Sequence, residues 1–194
     1  MASQSAVEET RRCLDNIEQF DSLVNAYITV IAESALKEAE AIDQARENGI
    51  SSGVLDGLPI SVKDCIDVAG IPCTNGSSFF ADYVPEEDAL IVQRLRNAGA
   101  VILGKTNLHE FAYGSTTQNP HYGSTRNPWD LDRIPSGSSG GAGASVAAQM
   151  CVGAVGSDTG GSVRTPAAIN GVTGLRPSMG SIPMTGSFTR ICPA

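Results

Sequence analysis

The chain has 194 residues, which is enough to bury one sizeable hydrophobic core. Apolar residues make up 41% and charged residues 18%, a composition typical of a folded globular protein and unlike that of a disordered one. The formal net charge of −8 argues against direct binding to nucleic acid or to an anionic membrane surface.

Five cysteines are an odd number, and their positions lack the spacing of a metal site. This usage favours a reduced protein of the cytoplasm. The N-terminus has neither the basic start nor the apolar run of a signal peptide. No apolar run approaches the roughly 18–20 residues of a membrane span. We therefore expect a cytoplasmic protein that does not enter a membrane.

The spacing of apolar residues predicts alternating helices and strands. Helices are predicted over 5–20, 33–47, 88–97 and 140–150, and strands over 24–31, 58–62, 100–103, 151–156 and 172–175. Asn107, with Glu110 three residues later, predicts one more helix with a capping box. Such alternation is typical of an α/β sheet covered by helices on both faces. No repeat or linker divides the chain, so we expect a single domain over 1–194.

Two glycine-rich turns flank the fourth predicted helix. They read Gly137-Ser-Ser-Gly-Gly141 and Gly156-Ser-Asp-Thr-Gly-Gly-Ser162. Glycine allows backbone to adopt φ > 0 or to approach a ligand closely, and successive N–H groups in such turns form an anion-binding concavity. A serine at its edge is placed for nucleophilic attack beside donors for the developing oxyanion. Two such turns together favour acyl transfer over serines chosen only for turn chemistry.

Three other motifs are alternatives for the first turn. A phosphate-binding loop needs Gly-Lys-Ser/Thr, and no lysine follows Lys105. The dinucleotide-binding motif Gly-x-Gly-x-x-Gly lacks its last glycine here. The α/β-hydrolase nucleophile elbow fits Ser139 at its centre, but that fold needs a histidine after the serine. Both histidines, His109 and His121, precede it, so the elbow fails unless an essential histidine lies beyond residue 194.

Several long motifs in order resemble the amidase signature family. Besides the two turns they are Asp56-Gly-Leu-Pro-Ile-Ser-Val-Lys63-Asp64, Gly104-Lys-Thr-Asn-Leu108, Thr125-Arg-Asn-Pro-Trp129 and Gly171-Val-Thr-Gly-Leu-Arg-Pro177. The likeness covers essentially the whole chain and implies the amidase-signature fold, a mixed central sheet covered by helices. It also implies amide hydrolysis by a serine–serine–lysine triad. Within the family, the stretch from Phe111 to Trp129 is most similar to the A subunit of tRNA-dependent glutamine amidotransferases and to stand-alone amidases.

The resemblance implies a role for each matching residue. Ser162 is the expected nucleophile, Ser138 the bridging serine whose peptide bond is cis, and Lys63 the base. The expected oxyanion hole consists of the backbone N–H groups of Thr159, Gly160, Gly161 and Ser162. No metal or cofactor is implied. The chain departs from the family pattern at Ser136, where glycine is usual, and at Cys65, where asparagine is common.

Four further assignments concern the surroundings of this triad. Lys105 is the second candidate for the base. Asp158 and Arg164 flank the nucleophile, and we expect an ion pair that supports the turn. The long polar segment 114–136, which carries Tyr122 and Trp129, is expected near the substrate. We place Gly114, Ser115, Thr116 and Ser139 close to the scissile amide.

The sequence leaves three functional alternatives open. The first is a stand-alone amidase acting on a small-molecule amide, with a homodimer as one possible assembly. The second is the glutaminase subunit of an amidotransferase that passes ammonia to partner subunits, in which case another subunit would have to hold the tRNA. The third is an inactive fragment, because the family pattern continues beyond Ile191-Cys-Pro-Ala194 and the chain is expected to hold only the N-terminal part of the fold.

Overall fold

The computed structural model describes residues 5–187. Strands and helices alternate along these residues, as the sequence predicts. The helices are α1 (Ala6–Val24), α2 (Ala32–Glu47), α3 (Leu90–Asn97), α4 (Gly140–Ala147) and α5 (Arg164–Asn170), and the strands are β1 (Tyr27–Val30), β2 (Pro59–Lys63), β3 (Val101–Thr106), β4 (Gln118–Asn119), β5 (Gly123–Ser124) and β6 (Gly153–Val155). Within the described residues, every helix is too short or too polar to cross a lipid bilayer.

Four strands form a mixed sheet in the order β1-β3-β2-β6. Strand β2 runs parallel to both β3 and β6, whereas β1 is antiparallel to β3. Strand β2 lies between two neighbours, and all five of its residues are buried. The mixed sheet confirms the predicted α/β class. The position of β2 in this sheet places its last residue, Lys63, in the interior of the protein.

Each face of the sheet carries its own apolar core. On one face, Cys13 and Ile17 of α1, Ala35 of α2 and Ala144 of α4 pack with alternate residues of β3. On the other, Val92 of α3 packs with Ile60 and Val62 of β2. Apolar residues at helical spacing give each helix one stripe that the sheet can bury. The sheet is therefore covered on both faces, as predicted.

A β-bulge in β3 decides where Lys105 points. Ile60 of β2 pairs with Ile102, but the next residue, Ser61, pairs with Gly104, so Leu103 is the extra residue. The shift places Lys105 opposite Val62 and on the same face of the sheet. A bulge re-aims the side chains that follow it. Lys105 therefore lies on the face opposite to that of Lys63.

The helix predicted to begin at Asn107 is wrong. Only a single 3₁₀ turn, Glu110–Ala112, forms there, and its cap His109 makes no side-chain capping bond. The Asn107 side chain instead donates to the carbonyl of Gly123, 2.9 Å away. The N–H of His109 donates to the Ser138 carbonyl. Tertiary hydrogen bonds thus replace the local capping pattern.

The strand predicted over 172–175 is also wrong, because these residues pair with no strand in the described part of the chain. Leu175 is instead 78% exposed. Directly before them, the sequence reasoning missed α5, which follows the second glycine-rich turn. Gly171 ends this helix in the left-handed conformation, with φ of 71°. A glycine directly after a helix is a recognised stop signal, so Gly171 could have revealed it.

A buried ion pair closes the second core next to the end of β2. Lys105 Nζ lies 2.8 Å from Asp64 Oδ1, and both side chains are fully buried. The other carboxylate oxygen of Asp64 accepts from the backbone N–H and the hydroxyl of Thr74. Removing one member of such a pair leaves an uncompensated buried charge.

We therefore expect Lys105→Met to lower the free energy of unfolding by about 3–5 kcal/mol. The double variant Lys105→Met with Asp64→Asn removes both charges and should recover most of the loss. Urea denaturation of the three proteins measures this. Equal stability of the wild type and Lys105→Met would contradict a buried charge on Asp64.

Candidate active site

The Lys63 amine lies at the centre of the candidate site. Its Nζ atom is 2.8 Å from Ser138 Oγ and 2.9 Å from Ser157 Oγ. The side chain is fully buried. The last residue of β2 thus reaches across to both glycine-rich turns, because β2 is parallel to β6 and the second turn directly follows β6.

Burial lowers the pKa of Lys63 to about 8, because the charged ammonium loses its hydration. Cys65 and Asp158 act in the opposite direction by favouring the charged form. Burial also raises the pKa of the Cys65 thiol, so that this residue is a neutral neighbour at neutral pH. A lysine with this pKa exists partly as a neutral amine near pH 8 and can accept a proton.

The first glycine-rich turn presents Ser138 and Ser139 to this lysine. Both serines are almost completely buried. The peptide bond between Gly137 and Ser138 is cis, as the resemblance implies. Gly141 allows α4 to begin against the end of β3, since a Cβ there would lie 2.5 Å from the carbonyl oxygens of Ala26 and Asn107. Ser136 adopts φ of 68°, which explains why glycine suits this position.

The second turn places Ser162 next to the first. The carbonyl of Ser162 accepts from the N–H of Ser139 at 3.1 Å. The hydroxyl of Thr165 donates to the Gly137 carbonyl at 3.2 Å and so joins the two turns again. Ser162 itself is half-buried. The predicted nucleophile and the predicted bridging serine thus lie on adjoining turns.

Asp158 supports the second turn from inside. Its carboxylate accepts two hydrogen bonds from the guanidinium of Arg164, each 3.0 Å long. It also accepts hydrogen bonds from the backbone N–H groups of Gly161 and Val163. The hydrogen bonds from Arg164 hold the pKa of Asp158 well below its usual range. A second guanidinium, that of Arg176, donates to the Asp158 carbonyl. The predicted ion pair is therefore present and joined to the backbone of the turn.

The four predicted oxyanion-hole donors are not equivalent. The N–H of Gly161 donates to Asp158 Oδ1 at 2.7 Å. Within residues 5–187, the N–H groups of Thr159, Gly160 and Ser162 donate to no protein acceptor. Thr159 and Gly160 are exposed. Three of the four predicted donors are therefore available to a bound oxyanion, whereas the fourth holds the turn.

The start of the 114–136 segment lies against the first turn. A Cβ on Gly137 would be 2.9 Å from the carbonyl carbon of Ser115 and from the nitrogen of Thr116. Gly114 packs against the imidazole ring of His109, and the backbone N–H of His109 donates to the Ser138 carbonyl. The middle of the segment lies elsewhere, since Trp129 donates to the carbonyl of Asn170 at the end of α5. The two ends of the predicted loop therefore adjoin the serines, whereas Trp129 does not.

The structure separates the two candidate bases. Burial alone would lower the pKa of Lys105, but the Asp64 carboxylate outweighs it and raises that pKa. The Asp64 carboxylate therefore favours the charged form of Lys105, which cannot accept a proton. Ser157, which contacts Lys63 directly, was missed by the sequence reasoning. The parallel register of β2 and β6 could have placed it near Lys63, but a serine in a glycine-rich turn carries no signal of its own.

Within the described residues, no group of three or more His, Cys, Asp or Glu side chains is arranged to hold a metal ion. The polar side chains at the Lys63 amine are the hydroxyls of Ser138 and Ser157, with the Cys65 thiol next to Ser157. This set can transfer protons and attack a carbonyl carbon.

A family model for amidases matches residues 8–193. The A subunit of glutamyl-tRNA(Gln) amidotransferase from Moorella thermoacetica is 50% identical over 94% of this chain. Its counterpart from Carboxydothermus hydrogenoformans is 48% identical over the same share. This chain spans 37% and 38% of their lengths, respectively.

Solved structures give the same result. A crystal structure described only as an amidase matches with a TM-score of 0.90 and 39% identity, over 95% of this chain and 42% of the other. The native peptide amidase of Stenotrophomonas maltophilia matches with a TM-score of 0.89 and 38% identity, over 95% of this chain and 39% of the other. Because the family model, the related sequences and the solved structures agree, the chain belongs to the amidase family.

Proposed function

We propose that this protein cleaves an amide bond through an acyl-enzyme on Ser162. The observation that carries the proposal is the contact between the buried amine of Lys63 and the hydroxyl of Ser138, 2.8 Å apart. A lysine removed from water, with a depressed pKa and a serine within hydrogen-bond distance, is the pairing that activates serine nucleophiles without histidine. Membership of the amidase family supports the same chemistry.

The proton path runs through the two serines. Neutral Lys63 takes a proton from Ser138, which takes one from Ser162 as Ser162 Oγ attacks the carbonyl carbon. Ser138 donates a proton to the departing amine when the C–N bond breaks and regains one from Lys63. Water then attacks the acyl carbon while its proton passes through Ser138 to Lys63. When the bond between the acyl carbon and Ser162 Oγ breaks, that proton returns through Ser138 to Ser162. The products are a carboxylic acid and an amine or ammonia.

The second turn supplies the oxyanion hole of this proposal. The N–H groups of Thr159, Gly160 and Ser162 are free to donate to the oxygen of the tetrahedral intermediate. Gly161 contributes differently, because its N–H joins the turn to Asp158. Asp158 and Arg164 act as supporting residues that fix these donors in place.

The substrate is a small-molecule amide that binds against the first turn. Ser115 and Thr116, next to Gly137, are suited to contact the scissile amide, with Gly114 at their side. The hydroxyl of Ser139 donates to the Ser157 carbonyl at 3.2 Å, so this residue acts mainly by shaping the site.

A second candidate function is favoured by the curated relatives, which include glutamyl-tRNA(Gln) amidotransferase A subunits 46–50% identical to this chain. In that case the chain would release ammonia from glutamine and pass it to partner subunits. The two functions differ in what they require. Ammonia release from small amides by the protein alone would favour the amidase, whereas release from glutamine only with added partner subunits would favour the amidotransferase.

The nucleophile can be tested by covalent labelling. Ser162→Ala should abolish reaction with a serine-directed fluorophosphonate, because the attacking oxygen is removed. Ser34→Ala, at an exposed position of α2, should label at the wild-type rate. Peptide mass mapping identifies the labelled residue. A label on Ser139 with Ser162 unmodified would contradict the assignment.

The base can be tested through stability as well as rate. The pKa of Lys63 is lowered from 10.5 to about 8, so between these values the folded state binds fewer protons than the unfolded state. Stability should therefore rise with pH across this window, and Lys63 should cost stability below it. At about 1.4 kcal/mol for each pH unit, the cost is roughly 3 kcal/mol. Lys63→Met should abolish acylation, match or exceed the wild-type stability below pH 8 and flatten the alkaline rise.

Lys37→Met is the matched control, because Lys37 is exposed on α2. It should leave both the pH dependence of stability and the acylation rate unchanged. Denaturation midpoints and labelling rates across pH 6–11 provide the measurement. An active Lys63→Met protein would remove Lys63 from the mechanism.

A further inference from the structure

Ser157 is the second partner of the Lys63 amine, and the proton path described above does not use it. We propose that Ser157 is a positioning residue that fixes the direction of the Lys63 lone pair towards Ser138. The proposal rests on the proposed function, since it requires Lys63 to be the base. It predicts that removal of the Ser157 hydroxyl leaves Lys63 in place but turns its lone pair away from Ser138.

The hydrogen-bonding capacity of a neutral amine supports this role. A neutral lysine amine has two N–H donors and one lone pair, whereas the ammonium form has three donors and no lone pair. Proton transfer requires Ser138 to donate to the lone pair. An N–H of the amine must then point elsewhere, and Ser157 Oγ, 2.9 Å away, accepts it. Without this acceptor the amine could rotate and turn an N–H towards Ser138.

The fold holds Ser157 in place from two sides. Val62 of β2 pairs with Val155 of β6, so Ser157 lies just beyond the paired strands, beside Lys63. Its carbonyl accepts from the Ser139 hydroxyl at 3.2 Å. On the other side, Cys65 Sγ lies 3.7 Å from Ser157 Oγ. The backbone of Ser157 is thus held by the first turn, and its hydroxyl contacts Cys65 in the segment that follows β2.

The charged and titratable groups around Lys63 do not offer an alternative partner. Cys65 is kept neutral by burial, and the Asp158 carboxylate is bound to Arg164 and to backbone N–H groups. Lys105 and Asp64 pair with each other on the opposite face of β2. Ser157 is therefore an uncharged group that can be replaced without changing the charge of the site.

The chain suits a direct titration because it contains only three lysines, Lys37, Lys63 and Lys105. Lysine labelled with ¹³C at Cε should give three signals, which Lys37→Met and Lys63→Met assign. In Ser157→Ala the Lys63 ammonium loses a hydrogen-bond acceptor, so its pKa should fall below the wild-type value. The acylation rate is taken as the rate at which a fluorophosphonate phosphonylates Ser162 Oγ with loss of fluoride; measured above that pKa, it should fall about tenfold to a hundredfold.

Two variants serve as controls. Ser157→Thr keeps the hydroxyl and should restore both the Lys63 titration and the acylation rate. Ser145→Ala removes another buried hydroxyl, which bonds to the Ala142 carbonyl in α4, and should change neither. The Lys105 signal reports whether the core is intact. If Ser157→Ala disturbs the Lys105 signal, Ser157→Gly, which also lacks the hydroxyl and carries no titratable group, should shift the Lys63 titration in the same direction.

The outcomes separate this inference from the proposed function. A wild-type titration and acylation rate in Ser157→Ala would overturn the role of Ser157, as would failure of Ser157→Thr to restore them. Acylation that persists in Lys63→Met, or wild-type protein unlabelled at Ser162, would contradict the proposed function instead. The Lys63 titration would still decide whether Ser157 holds the amine, because it requires no turnover.

Discussion

The structure depends on one buried amine. Lys63 is removed from water at the end of a central strand, and within residues 5–187 it forms no ion pair with a carboxylate, since Asp158 is paired with Arg164. Two serine hydroxyls, those of Ser138 and Ser157, satisfy it instead. The position of Lys63 follows from its strand, and the positions of its partners follow from the turns that α4 and β6 anchor.

The two buried lysines illustrate how a fold assigns different chemistry to the same side chain. Lys105 has a carboxylate partner, so its charge is retained and it stabilises the core. In the described part of the chain, Lys63 hydrogen-bonds only to hydroxyls, so burial lowers its pKa unopposed by a direct ion pair. The bulge at Leu103 separates them by turning Lys105 to the face that carries Asp64. A regular β3 strand would direct Lys105 towards the serines.

Apolar periodicity predicts the sheet class and most helices, and the resemblance to the amidase signature family implies the meeting of Lys63 with Ser138. Prediction from the sequence fails where tertiary contacts override local patterns. Asn107 has a capping-box spacing, yet its amide binds Gly123, and no helix follows. The pairing of Lys105 with Asp64 depends on a bulge that leaves no clear mark in the sequence. Ser157 acquires its contact only through the parallel register of β2 and β6.

The central claim is that Ser162 attacks while the second turn receives the oxyanion and Lys63 stays between its two hydroxyls. A crystal structure of the protein after reaction with a fluorophosphonate tests this directly. The account predicts phosphorus bonded to Ser162 Oγ, with its oxygen about 3 Å from the N–H of Thr159 or Gly160. Phosphorus on another serine, or an oxygen turned away from these N–H groups, would contradict it.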